Sequence, residues 1–119
     1  MRVVLDTNFF VSAVNFKMDL FSELRGHEIY VTEPVLIELE EIAKGNGKDA
    51  FSARVSLKLV EEKGLKVLEP KEKEADVSLL ELSKQGYAIA TQDKRLREKL
   101  KRTGSKIIFI RQRKYVVFE

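Results

Sequence analysis

The amino-acid sequence predicts an α/β fold: three layers, α/β/α, around a mostly parallel central sheet. Two observations carry this expectation. Short apolar runs alternate with helical patterns from end to end, which is the pattern of βα units. Only the last two apolar runs lie close enough for a tight hairpin, so one antiparallel strand should close a sheet edge. With 119 residues and 44% hydrophobic content, residues 1–119 read as one domain with a single core.

The first strand is Arg2–Leu5, an apolar run that ends in Asp6. Helical patterns follow over Asn8–Val14 and Asp19–Arg25. Ile29–Val31 is the second strand, after which Thr32 serves as N-cap, with Pro34 in the first turn, for a helix over Glu33–Lys44. Gly45-Asn46-Gly47 is the clearest loop. A helix over Asp49–Lys63 ends at Gly64, a residue suited to the left-handed position past a helix C-terminus. Strand Lys66–Glu69, helix Glu72–Lys84, a second capping glycine at Gly86 and strand Ala88–Thr91 follow. Helix Lys94–Arg102 leads to strands Ile107–Ile110 and Tyr115–Phe118, which pair around Arg111-Gln112-Arg113-Lys114.

Composition excludes several chemistries. The absence of cysteine rules out disulfides, thiolate metal sites and cysteine nucleophiles. The single histidine, His27, rules out catalysis by paired histidines and a His-rich zinc site. Carboxylates, hydroxyls, amides and basic groups remain. No apolar run approaches membrane-spanning length and no leader pattern precedes the first strand, so a cytoplasmic protein without a membrane partner is expected.

The net charge of +3 hides a division: Lys94 to Lys114 holds ten basic residues and one acid, Glu98, while residues 1–93 are net acidic. A basic surface next in sequence to an acidic pocket suits a polyanion that is gripped and then cut. The competing account is a solvated helix face and a polar hairpin loop.

Four acids stand where folding alone does not readily explain them: Asp6, Glu38, Asp76 and Asp93. Asp6 and Asp93 follow apolar strands, at the carboxyl ends where open α/β sheets bind ligands. Each could instead cap the following helix, although Thr7 or Asn8 could relieve Asp6 of that duty. Asp76 projects between Leu79 and Leu80, at the edge of the stripe formed by Ala75, Leu79 and Leu82, where an unpaired charge is costly. A first-turn acid favoured by the helix dipole is the alternative. Glu38 and Glu40 both border the apolar face of their helix, and periodicity does not choose between them. If the four acids converge, their hard oxygens make a site for Mg²⁺ or Mn²⁺.

Together these residues resemble the PIN-domain family of metal-dependent ribonucleases. The resemblance rests on Asp6-Thr7-Asn8, on Pro34-Val35-Leu36-Ile37-Glu38-Leu39, and on Glu74-Ala75-Asp76-Val77-Ser78-Leu79-Leu80-Glu81-Leu82. It rests most on Ala88-Ile89-Ala90-Thr91-Gln92-Asp93-Lys94-Arg95-Leu96-Arg97, which is similar to the family's strand–Thr–x–Asp–x–x–Leu signature. The resemblance implies that Asp6, Glu38, Asp76 and Asp93 form the acidic metal-binding and catalytic set, which selects Glu38 over Glu40. It also implies that Asn8 and Thr91 support the site through hydrogen bonds. Gln92 departs from the smaller polar residue found in many relatives.

The implied activity is Mg²⁺- or Mn²⁺-dependent endoribonuclease cleavage of RNA. Lys94, Arg95, Arg97, Lys99, Lys101, Arg102, Arg111, Arg113 and Lys114 are the expected grip on the RNA. The basic C-terminal runs look closest to the archaeal and eukaryotic branch linked to ribosomal RNA processing, with a ribosome precursor as partner. The family's other large branch comprises toxins paired with antitoxins, and a non-catalytic RNA-binding assembly factor is a third reading. Relatives often form homodimers. Phe9, Phe10, Phe16 and Phe21 read as core or interface residues, and Tyr115 as a sheet-packing residue rather than a base-stacking one.

Overall fold

A computed structural model describes residues 1–119. Six strands form one sheet: β1 (Arg2–Leu5), β2 (Glu28–Thr32), β3 (Lys66–Leu68), β4 (Ala88–Ala90), β5 (Ile107–Arg111) and β6 (Tyr115–Phe118). Their spatial order is β3-β2-β1-β4-β5-β6. The β1–β2, β1–β4, β2–β3 and β4–β5 pairs are parallel, and β5–β6 is the one antiparallel pair, at the edge the sequence assigns to it. Six helices connect and cover the sheet: α1 (Thr7–Asn15), α2 (Leu20–Glu23), α3 (Glu33–Ala43), α4 (Lys48–Glu62), α5 (Ala75–Lys84) and α6 (Lys94–Arg102).

The two-residue period of a strand divides the core between the faces of the sheet. Val3, Leu5, Val31, Ala88, Ala90, Ile108 and Ile110 pack with Phe9, Phe10, Val35, Leu39 and Ala53 of α1, α3 and α4. Val4, Tyr30, Ile89, Ile107 and Phe109 pack on the opposite face with Leu79 and Leu82 of α5 and with Leu96 and Leu100 of α6. Val3, Val4 and Leu5 are fully buried, so β1 needs apolar residues on both sides. Phe16 and Phe21 are partly buried against the first of these clusters.

Helix α4 meets its neighbours through small residues. Its buried positions are Ala50, Ser52, Ala53 and Ser56, which let the helix backbone approach α1 and α3 closely. The buried Ser56 hydroxyl donates to the Ser52 carbonyl at 2.8 Å, so burying it leaves no polar group unmatched. Thr32 caps α3 by accepting from the Val35 N–H, with Pro34 in the first turn. Gly64 and Gly86 take φ of +60° and +93° just past α4 and α5, as expected of C-terminal glycines. Helix α5 begins at Ala75 rather than Glu72, because its N-terminal flank of Lys71-Glu72-Lys73-Glu74 is exposed and has no apolar face to bury.

The chain runs from β1 outward to β2 and β3, then returns to β4 on the other side of β1. The boundary between β1 and β4 is therefore the topological switch point, where a crevice opens at the carboxyl ends of the strands. Since β1, β2, β4 and β5 are parallel, Asp6, Thr32, Thr91 and Arg111 all lie on this one edge. No helix is long and apolar enough to cross a membrane.

Truncating Phe10, which is fully buried under the switch point, tests the account of the core. Phe10→Ala should lower stability by roughly 3–5 kcal/mol, seen as a lower denaturant midpoint with an unchanged slope.

Candidate metal centre

The centre is built around Asp6. Its backbone N–H donates to the Ala90 carbonyl at 2.8 Å, which fastens the end of β1 to the end of β4. The side chain is 4% exposed, and both of its oxygens are engaged: Oδ1 accepts from the Thr7 N–H at 2.8 Å, and Oδ2 from the Thr91 hydroxyl at 2.7 Å. Asp6 is therefore the N-cap of α1 itself; neither Thr7 nor Asn8 relieves it of that duty. The cap does not close the group to other partners, because an ionised carboxylate has about four acceptor positions and two are used here.

Thr91 is fully buried. Its hydroxyl donates to Asp6 and accepts the Asp93 N–H at 3.1 Å, which links the two acids through one side chain. Asn8 Oδ1 accepts the Gln92 N–H at 2.9 Å and lies 3.2 Å from the Thr91 hydroxyl. Gln92, which departs from the family pattern, has a definite place in this sheet. Its Nε2 donates to the Ile110 carbonyl at 3.2 Å and its Oε1 accepts the Ile110 N–H at 2.6 Å. The amide thus imitates a peptide group and continues the β4–β5 ladder beyond the last residue of β4.

Asp93 caps α6: its Oδ1 accepts from the Arg95 and Leu96 N–H groups at 2.9 and 3.3 Å. Its Oδ2 has no protein donor. Glu38 is exposed and reaches across to Thr7, whose hydroxyl donates to Oε1 at 2.5 Å. Glu40 has no such contact. Asp76, expected at the edge of the apolar stripe or as a first-turn acid, is exposed in the first turn of α5. The reason is the late start of α5, which puts Asp76 in the first turn, ahead of Ser78 where the buried face begins.

The structure brings Asp6, Glu38, Asp76 and Asp93 to the wall of one cleft of about 460 Å³, together with Thr7, Asn8, Val11, Ser12, Asn15, Ile42 and Asp49. No lysine or arginine lines it, and none of its carboxylates is in a salt bridge. Burial raises the Asp6 carboxyl from 3.8 to about 6; the Thr91 and Thr7 hydrogen bonds oppose this, and Asp76 and Glu38 add to it. Asp76 is also raised, by partial loss of hydration and then by Asp93, with Lys99 opposing. The acids therefore act on one another across the cleft.

No group of three or more His, Cys, Asp or Glu side chains is gathered tightly enough to hold an ion unaided. The donor set nevertheless fits a hard cation. It is all oxygen, it is uncompensated, and Mg²⁺ usually binds through one or two carboxylates while keeping several waters. An open acidic cleft accommodates such a hydrated ion better than a closed cage would.

Asp49, Ser12 and Asn15 are cleft residues that the sequence reading did not single out. Asn8, Ser12 and Asn15 share a face of α1 at helical spacing, opposite the buried Phe9, Phe10 and Ala13, so periodicity contains that signal. Asp49 is brought in by the packing of α4, which local sequence does not reveal.

The basic residues divide. Lys94, Arg95, Lys99 and Arg102 are exposed on α6, while Leu96 and Leu100 anchor the helix to the core. Arg97 stacks 4.3 Å over Phe109, and Arg111 lies 5.4 Å from the same ring. Lys101 is not free, since it pairs with Glu119 at 2.7 Å. Arg113 and Lys114 lie in or beside the hairpin turn, where Gln112 and Arg113 both adopt left-handed φ, +54° and +56°. The three-residue connection turns at these two positions, with the Lys114 N–H donating to the Arg111 carbonyl at 3.2 Å, and two non-glycine residues adopt this backbone at roughly 1–2 kcal/mol each.

Comparison with known proteins agrees with this architecture. The family model described as a PIN like domain matches residues 3–113. Ribonuclease VapC4 of Methanocaldococcus jannaschii is 30% identical over 124 residues, spanning 96% of this chain and 93% of its own length. Ribonuclease VapC9 of Archaeoglobus fulgidus is 34% identical over 121 residues, spanning 98% and 87%. Among solved structures, the PIN domain endonuclease Utp24 shares the fold with a TM-score of 0.83 at 24% identity, covering 99% of this chain and 90% of that one.

The raised Asp6 carboxyl has a consequence for stability. The folded protein holds this proton more tightly than the unfolded chain does, so its contribution is complete below about pH 3.8 and lost as pH rises through about 6. In chelator-treated protein, Asp6→Asn should remove this slope and raise stability at pH 7 by up to roughly 3 kcal/mol. Denaturant midpoints measured across pH 3.5 to 7.5 check this; a difference between wild type and variant that does not vary with pH would contradict it.

Proposed function

The chain belongs to the PIN-like domain family, and from that premise we propose that it is a divalent-metal-dependent endoribonuclease acting as one unit over residues 1–119. The observation that carries this reading is the meeting of Asp6, Glu38, Asp76 and Asp93, from four distant parts of the chain, in a cleft without a compensating cation. Two whole-chain relatives named as ribonucleases support it further. Such a cleft is costly for a fold to keep unless something positive enters it.

Asp6, Asp76 and Asp93 would hold Mg²⁺ or Mn²⁺, with Glu38 serving a second ion or the attacking water. When bound, the cation supplies an acidified water and neutralises charge at the scissile phosphate. The chain's own residues do the rest. The Thr7 and Thr91 hydrogen bonds keep Asp6 in one rotamer, so the ligand is oriented before substrate arrives. Glu38 Oε1 is held by Thr7, which leaves Oε2 able to accept a proton from water. In the hydrolysis the water oxygen bonds to phosphorus and the bond from phosphorus to the 3′ oxygen breaks. The products are a 3′-hydroxyl and a 5′-phosphate, and no 2′-hydroxyl takes part.

Lys94, Arg95 and Lys99 on α6, with Arg111, Arg113 and Lys114 at the hairpin, are proposed to contact RNA phosphates, so affinity should fall steeply with salt. Arg97, Lys101 and Arg102 are proposed to contribute less, since Arg97 is stacked, Lys101 is paired, and Lys101 and Arg102 are in the turn of α6 farthest from Asp93. In biological role, likeness to two VapC ribonucleases favours the toxin branch, with an antitoxin protein as partner, over the ribosomal RNA branch. A cytoplasmic location and a homodimer complete the proposal; exposed Ile37 and Phe51 on α3 and α4 offer apolar area for a protein partner.

Asp6→Asn decides between enzyme and binding module. Cleavage of single-stranded RNA in Mn²⁺ should fall by more than roughly 100-fold, beyond what losing an outer hydrogen-bond partner of a metal ligand costs, while RNA binding persists. Chelation should stop the wild type. Equal cleavage by wild type and variant would reject the enzyme reading.

A further inference from the structure

The acidic cleft has wall residues beyond the four candidate ligands. From Asp6 it follows α1 past Ser12 to Asn15 and ends at Asp49 in the first turn of α4. Asn8 and Asn15 are seven residues apart, about 10 Å along a helix, comparable to the reach of one nucleotide from its phosphate to the far edge of its base. Val11 and Ile42 are the two apolar residues in the wall, and they offer surface to the face of a base.

The far end is organised by its own hydrogen bonds. The hydroxyl of Ser52, which is 2% exposed, donates to Asn15 Oδ1, and Asn15 Nδ2 donates to Asp49 Oδ1 at 2.9 Å. This relay fixes the Asn15 amide, which holds one oxygen of the exposed Asp49 carboxylate. Asp49 Oδ2 has no protein donor, and Asp49 makes no salt bridge.

An ionised carboxylate only accepts hydrogen bonds and repels phosphate. What it recognises in a polynucleotide is therefore a donor edge. Guanine presents N1–H and N2–H₂ side by side, which matches the two oxygens of one carboxylate. Adenine and cytosine each present one amino group. Uracil presents a single N–H flanked by two carbonyls, which a carboxylate repels.

We propose that Asp49, oriented by Asn15 and Ser52, is a specificity-determining residue that reads guanine in the nucleotide adjoining the scissile phosphate. The proposal rests on the ribonuclease reading for its biological meaning, but its binding test does not. Asp49→Asn preserves the acceptor for Asn15 and replaces one outward acceptor with a donor.

Calorimetric titration with guanosine and uridine, which carry no phosphate for the acids to repel, should show wild type favouring guanosine by about ten-fold, the lower range for a bidentate base contact, and Asp49→Asn losing that preference. Ser52→Ala, which loosens the relay while leaving the carboxylate, should reduce the preference part-way. Melting temperatures of both variants confirm that the fold is intact. In cleavage, kcat/KM for a fluorescent RNA carrying one guanine should exceed that for its uracil counterpart, and the two should converge in Asp49→Asn. Discrimination between the nucleosides with no cleavage of either RNA would support the subsite and overturn the nuclease reading. Cleavage with equal use of both bases and equal affinity for guanosine and uridine would overturn the subsite alone.

Discussion

The buried carboxylate of Asp6, held between the Thr7 N–H and the Thr91 hydroxyl, is the constraint on which the rest of the molecule depends. It stands where the chain reverses its direction of growth across the sheet, at the only junction with β2 and β3 on one side and β4 to β6 on the other. Burial makes ionisation costly, and the neighbouring acids make it costlier. The two hydrogen bonds return part of that cost and fix the rotamer. What is left is a negative charge that a cation can neutralise, presented in one direction. A site of this kind gains ion affinity because the fold has already spent stability to build it.

Around this group, one edge of the sheet places opposite charges side by side. The acids line the cleft; the cations are carried by α6, which starts at Asp93, and by the β5–β6 turn. Gln92 connects the two regions. Its backbone is bound by Asn8 of the acidic side, and its side chain by Ile110, next to Arg111. The hairpin therefore has a fixed position relative to Asp6, which is what binding an RNA backbone at a defined distance from a reacting phosphate requires.

Much of the fold was legible because its strands are apolar on both faces and its turns use glycine where left-handed backbone is needed. Arg2–Leu5 and Tyr115–Phe118 have the bounds expected, and the remaining strands differ by a residue or so at their ends. What the sequence leaves open is decided by features beyond local pattern. The 100° period puts Asp76 at the edge of the apolar stripe; with α5 starting at Ala75 it is exposed in the first turn, the alternative that the helix dipole favours. The sequence leaves the α1 cap open among Asp6, Thr7 and Asn8; Asp6 takes it, while the Thr7 hydroxyl donates to Glu38 and the Asn8 side-chain carbonyl accepts from Gln92. These are bonds between residues 31 and 84 positions apart, which local pattern cannot express. Asp49 carries no local signal for the same reason: it reaches the cleft through the small-residue packing of α4 on α1.

We propose that this cleft holds a divalent cation between acids that are remote in sequence. The most direct measurement is anomalous diffraction from a crystal of the wild-type protein soaked in Mn²⁺. The expected result is an anomalous peak bounded by Asp6 and Asp93, within reach of Asp76 or Glu38, and lost in a crystal of Asp6→Asn. A cleft without anomalous signal at saturating Mn²⁺, or an ion bound only elsewhere on the surface, would contradict it.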